Sequence, residues 1–188
     1  HLESKVLKIE RDTLHPERWQ LHSEEPEGAQ SVFSGFDQVL LAIPSDQAID
    51  LLRASNIKLE NAAALNKVQV APCWTLMVAF PNAVQPGLIT LGPQWNAARS
   101  VHHRVAWLAR ESSKPKRSKI ERWTVQASAT WSQEHLEDAP ERVQAKLLKA
   151  FSEITGIRAT PAHADVHLWR YAKTLQPLAQ THLWDAKQ

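Results

Sequence analysis

The sequence predicts an α+β protein, a mixed and largely antiparallel sheet with packed helices. Two observations lead there: sheet-forming segments dominate the middle of the 188-residue chain, and a single long amphipathic helix follows them. A third narrows the choice, because neither a repeat nor a low-complexity tract interrupts the pattern.

From the start, "KVLKIERD" (5–12) and "RWQLHSEE" (18–25) are extended segments separated by "TLHPE", which reads as a hairpin. "FDQVLLAIP" (36–44) is a continuous apolar run closed by proline, the pattern of a strand buried on both faces. An amphipathic helix from Asp46 to Ala54 follows it. "PCWTLMVAF" (72–80), "GLITLGP" (87–93) and "HRVAWLARE" (103–111) read as strands joined by turns rich in proline, asparagine and glycine. "ERWTVQAS" (121–128) alternates Trp123, Val125 and Ala127 against Thr124, Gln126 and Ser128, a strand with one polar face. In 139–155, Val143, Leu147, Ala150, Phe151 and Ile154 recur at helical spacing, with Asp138 and Glu141 as a capping pair and Gly156 placed to end the helix. As a strand, "HADVHLWRYA" (163–172) would carry His163, Asp165, His167, Trp169 and Tyr171 on one face and Ala164, Val166, Leu168 and Arg170 on the other.

Composition removes several function classes. Hydrophobic residues make up 43% of the chain and charged ones 22%, too apolar for a disordered protein. The net charge of +2 points to no particular partner, and the one strongly basic stretch, "RESSKPKRSK" (110–119), reads as a solvated hairpin tip, so no nucleic-acid partner is expected. The single cysteine, Cys73, excludes an internal disulfide and suits a reducing compartment. Without an apolar run of about 20 residues or a signal peptide, the expectation is a soluble cytoplasmic protein with no membrane partner. Eight tryptophans against one tyrosine suit both a core and a pocket for a flat ligand.

"HADVH" offers imidazole and carboxylate ligands, but same-face neighbours on a strand lie about 7 Å apart, which fits one ion poorly, so no metal is expected. There is no G-x-S-x-G elbow for a nucleophilic serine, and with five glycines in all the chain contains neither a phosphate-binding P-loop nor G-x-G-x-x-G. Arg104, Arg110 and Arg170 are candidates for an anionic ligand, each also able to serve as a surface ion-pair partner.

Five segments carry a family likeness: "FDQVLLAIPSDQAIDLL", "APCWTLMVAF", "RVAWLARESSKPKR", "ERWTVQASATWSQEHLEDAPERVQAKLLKAF" and "HLWRYAKT". Together, over about residues 30–172, they resemble bacterial renalase-like proteins of the flavin amine-oxidase superfamily. The resemblance implies an FAD-dependent oxidoreductase that takes hydride from a dihydronicotinamide-type or amine donor, the flavin being reoxidised by oxygen. In that family the fingerprint glycines lie near the N-terminus and a Gly-Asp segment near the C-terminus, and neither is found here.

The expectation is therefore a truncated product in three parts: residues 1–50 as a remnant of the Rossmann-type FAD domain, 51–175 as the substrate-binding domain, and 176–188 as the start of a return to the FAD domain. Val6 resembles the valine whose backbone faces adenine and is the one cofactor contact carried over. Trp169, Arg170 and Tyr171, at the flavin-facing end of the last strand, are expected to bind the substrate, with Trp107 and Arg110 beside them. No residue is assigned a catalytic role, because hydride transfer asks the protein to hold a flat donor and exclude water. This product alone is expected to carry no FAD, to be inactive as an oxidase and to self-associate through exposed strand edges, "VLLAIP" included. The alternative is a cofactor-free ligand-binding or interaction domain on the same fold.

Overall fold

The structure, a computed structural model, describes residues 3–60, 62–81, 93, 95–117 and 120–185. It contains two compact units, His1–Gln69 with Leu175–Gln188, and Val70–Thr174.

In the first unit β1 (Lys5–Arg11), β2 (Trp19–Glu24) and β3 (Gln30–Phe36) form an antiparallel meander in that order. The register runs Ile9 to Leu21 to Phe33, so the expected hairpin is present and gains a third strand. The turn between β1 and β2 is built on one buried carboxylate. Asp12 Oδ1 accepts from the backbone N–H groups of Leu14 (2.8 Å) and His15 (3.2 Å), and Oδ2 accepts from Gly35 N–H on β3 (3.1 Å). Gly35 meets that carboxylate at φ 88°, a backbone conformation glycine adopts without strain. Helix α1 (Ser45–Ala54) buries Ser45, Ala48 and Leu52 and packs on β1, where Ile9 N–H donates to Ser55 Oγ at 2.8 Å. A single helical turn, α2 (Ala62–Leu65), follows.

The expected buried strand at 36–44 is not formed. Phe36 ends β3, residues 37–44 are irregular, and Leu40 is 81% exposed. A strand buried on both faces needs a neighbour on each edge, and among the described residues no strand pairs with 37–44.

The second unit is a five-stranded sheet in the order β5-β6-β7-β4-β8, with β4 (Gln69–Phe80), β5 (Ala97–Arg99), β6 (Val105–Arg110), β7 (Glu121–Ala127) and β8 (His163–Gln176). Neighbours β5–β6, β6–β7 and β7–β4 are antiparallel, as the α+β reading required. Helices α3 (Ala129–Glu134) and α4 (Pro140–Thr155) complete it. Buried Val143, Leu147, Ala150 and Phe151 on α4 pack with Leu76, Val78, Phe80, Val105, Leu108, Trp123 and Val125 from the strands. Phe151 is central, stacked on Phe80 at 5.9 Å between ring centres and edge-on to Trp123 at 5.6 Å.

The ends of α4 show one correction. Gly156 closes the helix at φ 75°, with its N–H on Ser152 O at 2.9 Å. The N-cap, however, is Ala139, because Pro140 occupies the first helical position and sets the start there. Asp138 makes no cap bond and instead accepts from Lys146 Nζ at 3.0 Å. "GLITLGP" lies outside the described residues except for Pro93. Among the described residues no helix is long and apolar enough to cross a membrane.

Candidate functional site

The five-stranded sheet has two faces with different covers. One is the core face, carrying Leu76, Val78, Leu108, Trp123 and Val125 against α4, with Ala164, Val166 and Leu168 of β8 packed along it. Alternation along the strands places on the other face Trp107 and Ala109 of β6, Arg122, Thr124 and Gln126 of β7, and Met77 and Ala79 of β4. The cross-strand pairs are Trp107–Gln126, Ala109–Thr124, Met77–Thr124 and Ala79–Arg122. This open face presents two large apolar side chains, Trp107 at 36% and Met77 at 37% exposure, over small neighbours.

The residues expected at the site divide between these faces. Trp107, Trp169 and Tyr171 share the open face; β7 and β4 stand between β6 and β8, so the two strands are roughly 14 Å apart across the sheet at ~4.8 Å per strand. Trp169 and Tyr171 are 56% and 40% exposed, and the His167 ring meets Trp169 edge-on at 4.5 Å. Arg110 and Arg170 take the core side. Arg110 pairs across from Trp123 and its Nη2 donates to Glu121 Oε2 at 2.7 Å, while Arg170 is bidentate on Glu137 at 2.9 and 3.3 Å. That guanidinium holds the Glu137 carboxyl below the usual carboxylate range, and the pair raises the Arg170 pKa. Both arginines are thus committed to protein carboxylates. Arg104, the third candidate, donates from Nη1 to Lys146 O at 3.4 Å.

Trp107 and Arg110, three residues apart, fall on opposite faces by alternation, and a bulge sets which face each takes. The β6–β7 register shifts between Val105 and Trp107, so Val105 and Leu108 both face the core and the intervening Trp107 is turned out. Sequence reasoning also passed over Met77, Thr124, Gln126 and Arg122; their alternation with Val78, Trp123 and Val125 was the available signal. Glu111, following β6, accepts from Thr124 Oγ1 at 3.1 Å and pairs with Lys114 at 2.5 Å; Lys114, more than any other group, lowers its pKa. Cys73 on β4 is half-buried, and burial pushes its thiol pKa up, away from nucleophilic character.

The expected cofactor contact, Val6, lies in the first unit on β1 opposite Ser23. Beside it an open trough of about 610 Å³ is lined by Glu3, Ser4, Lys5, Glu24, Glu25, Pro26 and Gly28. A neutral adenine ring is compatible with that lining. A pyrophosphate is not, because it would face the carboxylates of Glu3, Glu24 and Glu25 with Lys5 as the one cation and no helix N-terminus in the lining. The described residues therefore do not fit the dinucleotide's charged centre. On the neighbouring face of the meander, Glu10 is held down to about 2, first by the Lys8 ammonium and then by Gln20 Nε2 and His22 Nε2, each 2.6 Å away. Among the described residues no group of three His, Cys, Asp or Glu is placed to hold a metal ion, and His163, Asp165 and His167 lie exposed along β8.

No model of a known protein family matches the chain. Among solved structures it is similar to a putative protoporphyrinogen oxidase from Exiguobacterium sp. 255-15, at 17% identity and a TM-score of 0.67, over 93% of this chain and 36% of that one. It is also similar to cyclohexylamine oxidase from Brevibacterium oxydans IH-35A (11% identity, TM-score 0.59, 87% and 33% of the chains). Putrescine oxidase in complex with putrescine gives 9% identity and a TM-score of 0.60 over the same shares, 87% and 33%. These likenesses show a shared α+β fold, and the chain spans about a third of the length of the structures it matches.

Proposed function

We propose that this chain is the substrate-binding part of an FAD-dependent oxidoreductase of renalase-like type, acting on a dihydronicotinamide-type or amine donor, with oxygen as the final acceptor. The observation that carries this reading is the open face of the five-stranded sheet, where Trp107 and Met77 stand over Ala109, Ala79 and Thr124. The hydride acceptor would be supplied by flavin. The residues of this chain hold the donor: Trp107 packs on its ring, and Trp169 and Tyr171 form an aromatic wall at the β8 side that keeps water from it. The small floor lets a flat molecule approach the sheet. Alone, the chain holds no FAD, because the trough beside Val6 suits no pyrophosphate.

The test is a titration of the 188-residue chain with 1-benzyl-1,4-dihydronicotinamide. Binding should weaken at least tenfold in Trp107→Ala while the melting temperature is kept; equal affinity in the variant and the wild type contradicts the reading.

A second reading is favoured by β8 itself. It is an edge strand of fourteen residues, exposed throughout Trp169–Gln176, and an unpaired edge recruits another strand. Here the fold serves as an interaction domain that self-associates. Light scattering beside the dihydronicotinamide titration separates the two: an associating preparation that binds no probe fits this reading, and a monomer that binds the probe contradicts it.

A further inference from the structure

The open face of the sheet contains a half-buried cation, Arg122, and an exposed one, Arg99 of β5 directly opposite Trp107; among the described residues neither forms an ion pair. Arg122 projects from β7 beside Ala79 of β4, half-buried, and its Nε is buried without a hydrogen-bond partner. Among the described residues no carboxylate forms an ion pair with it. Arg110 is the informative contrast: its Nε is likewise unpartnered, yet its Nη2 is bound to Glu121 at 2.7 Å. Of the carboxylates on the open face, Glu111 is taken by Lys114 and Thr124, and Asp165 of β8 lies exposed with Oδ1 accepting from Val166 N–H at 2.8 Å. A guanidinium is charged at any pH the protein meets, and its planar fork matches a carboxylate in two parallel hydrogen bonds. A buried N–H donor left without an acceptor is uncommon in a folded protein.

The surroundings define what would bring that acceptor. Gln126, the partner of Trp107, is four residue steps along β7 from Arg122, which at ~3.3 Å per residue is roughly 13 Å. Between the two ends lie Thr124, Ala109, Met77 and Ala79. The face is therefore a shallow track with Trp107 and the exposed Arg99 at one end, the half-buried and unpartnered Arg122 at the other and a small, largely apolar floor between them.

Resting on the reading of this face as the donor-binding surface, we infer that its ligand is a flat molecule bearing a carboxylate, with the ring on the floor beside Trp107 and Met77 and the carboxylate on Arg122. A cationic amine is disfavoured at the Arg122 end by like charge, so within the proposed reaction the face selects an anionic donor over a simple amine.

Three probes with one ring system test it: 2-naphthoate, 2-naphthamide and 2-naphthylmethylamine, titrated by calorimetry into the 188-residue chain and into Arg122→Gln, Arg122→Lys and Trp107→Ala. The expected result is naphthoate binding at least tenfold tighter than the other two. That preference should be abolished in Arg122→Gln, reduced in Arg122→Lys, and kept in Trp107→Ala with all three probes weakened. Equal binding of the three probes that still weakens in Trp107→Ala overturns the carboxylate inference and leaves the donor-face reading standing. A preference for the amine, or a naphthoate preference that survives Arg122→Gln, overturns it as well. Failure of every probe to bind overturns both. Should Arg122→Gln not fold, the wild-type ranking and Arg122→Lys still decide.

Discussion

The two units are held together by different forces. The meander of the first unit is organised by carboxylates: Asp12 ties the β1–β2 turn to Gly35 of β3, and Glu10 gathers Lys8, Gln20 and His22 on one face. The sheet of the second unit is organised by apolar burial, with Leu76, Leu108, Val125, Val143 and Leu147 fully enclosed around Phe151 and Trp123. Hydrogen bonds to charged groups stabilise where they are made and vanish on protonation, whereas apolar burial does not depend on pH near neutrality. The second unit can therefore leave one sheet face open and still be stable, because its core lies on the other side.

That contrast can be broken first at its strongest point. Phe151→Ala removes a fully buried ring and its contacts with Phe80 and Trp123, and should cost about 3 to 5 kcal/mol, read as a lowered midpoint in urea. Smaller is Gly156→Ala, which forces a Cβ into the left-handed conformation that closes α4, although open space surrounds the position. About 1 kcal/mol is expected from backbone strain alone, again in the second unit.

The first unit should respond to acid. Glu10 sits near 2 when folded against 4.5 in the free side chain, and Asp12 is also lowered, chiefly by its bond from Leu14 N–H. A carboxyl lowered on folding contributes stability that is complete above its unfolded pKa and is lost as pH falls through the folded one. Amide exchange in β1–β3 should therefore accelerate from about pH 4.5 downward while α4 remains protected. The Asp12→Asn substitution, which leaves the fold's apolar contacts in place, should reproduce that acceleration at neutral pH. Uniform acceleration across both units would remove the contrast. The least effect on stability is expected of Trp169→Ala, since that side chain is more than half exposed; the melting temperature should move by no more than about 1 °C, while affinity for the dihydronicotinamide probe falls.

How far the sequence reveals this follows from the same physics. The period of 3.6 in Val143, Leu147, Ala150 and Phe151 identified α4, and the alternation through Trp123 and Val125 identified β7, because both elements have one buried and one exposed side. Strand β3 was missed since "QSVFSGF" carries few apolar residues; its pairing with β2 and the Asp12–Gly35 bond hold it, and neither is local. Helix α3 was signalled by Ser128, whose Oγ accepts from Trp131 N–H at 3.2 Å, but the residue also closed the alternation of β7 and was read that way. In 37–44 a run of apolar letters suggested burial that partners alone can provide. Of the site, Trp107, Trp169 and Tyr171 share the open face, while Arg110 and Arg170 are turned to the core side. The odd spacing of Arg110 from Trp107, and of Arg170 from Trp169 and Tyr171, already separated them in the sequence, whereas the bulge after Val105, which sets the face each residue of β6 takes, leaves no mark there.

The most direct test of the central claim, that the donor lies on the open face, uses the indole N–H resonances of the tryptophans in a 15N-labelled sample. On addition of 1-benzyl-1,4-dihydronicotinamide, the signals of Trp107 and Trp169 should shift in a saturable manner. Those of Trp74, Trp123 and Trp131, buried on the other side, should remain in place. Shifts confined to the buried tryptophans, or none at saturating probe, would contradict the account.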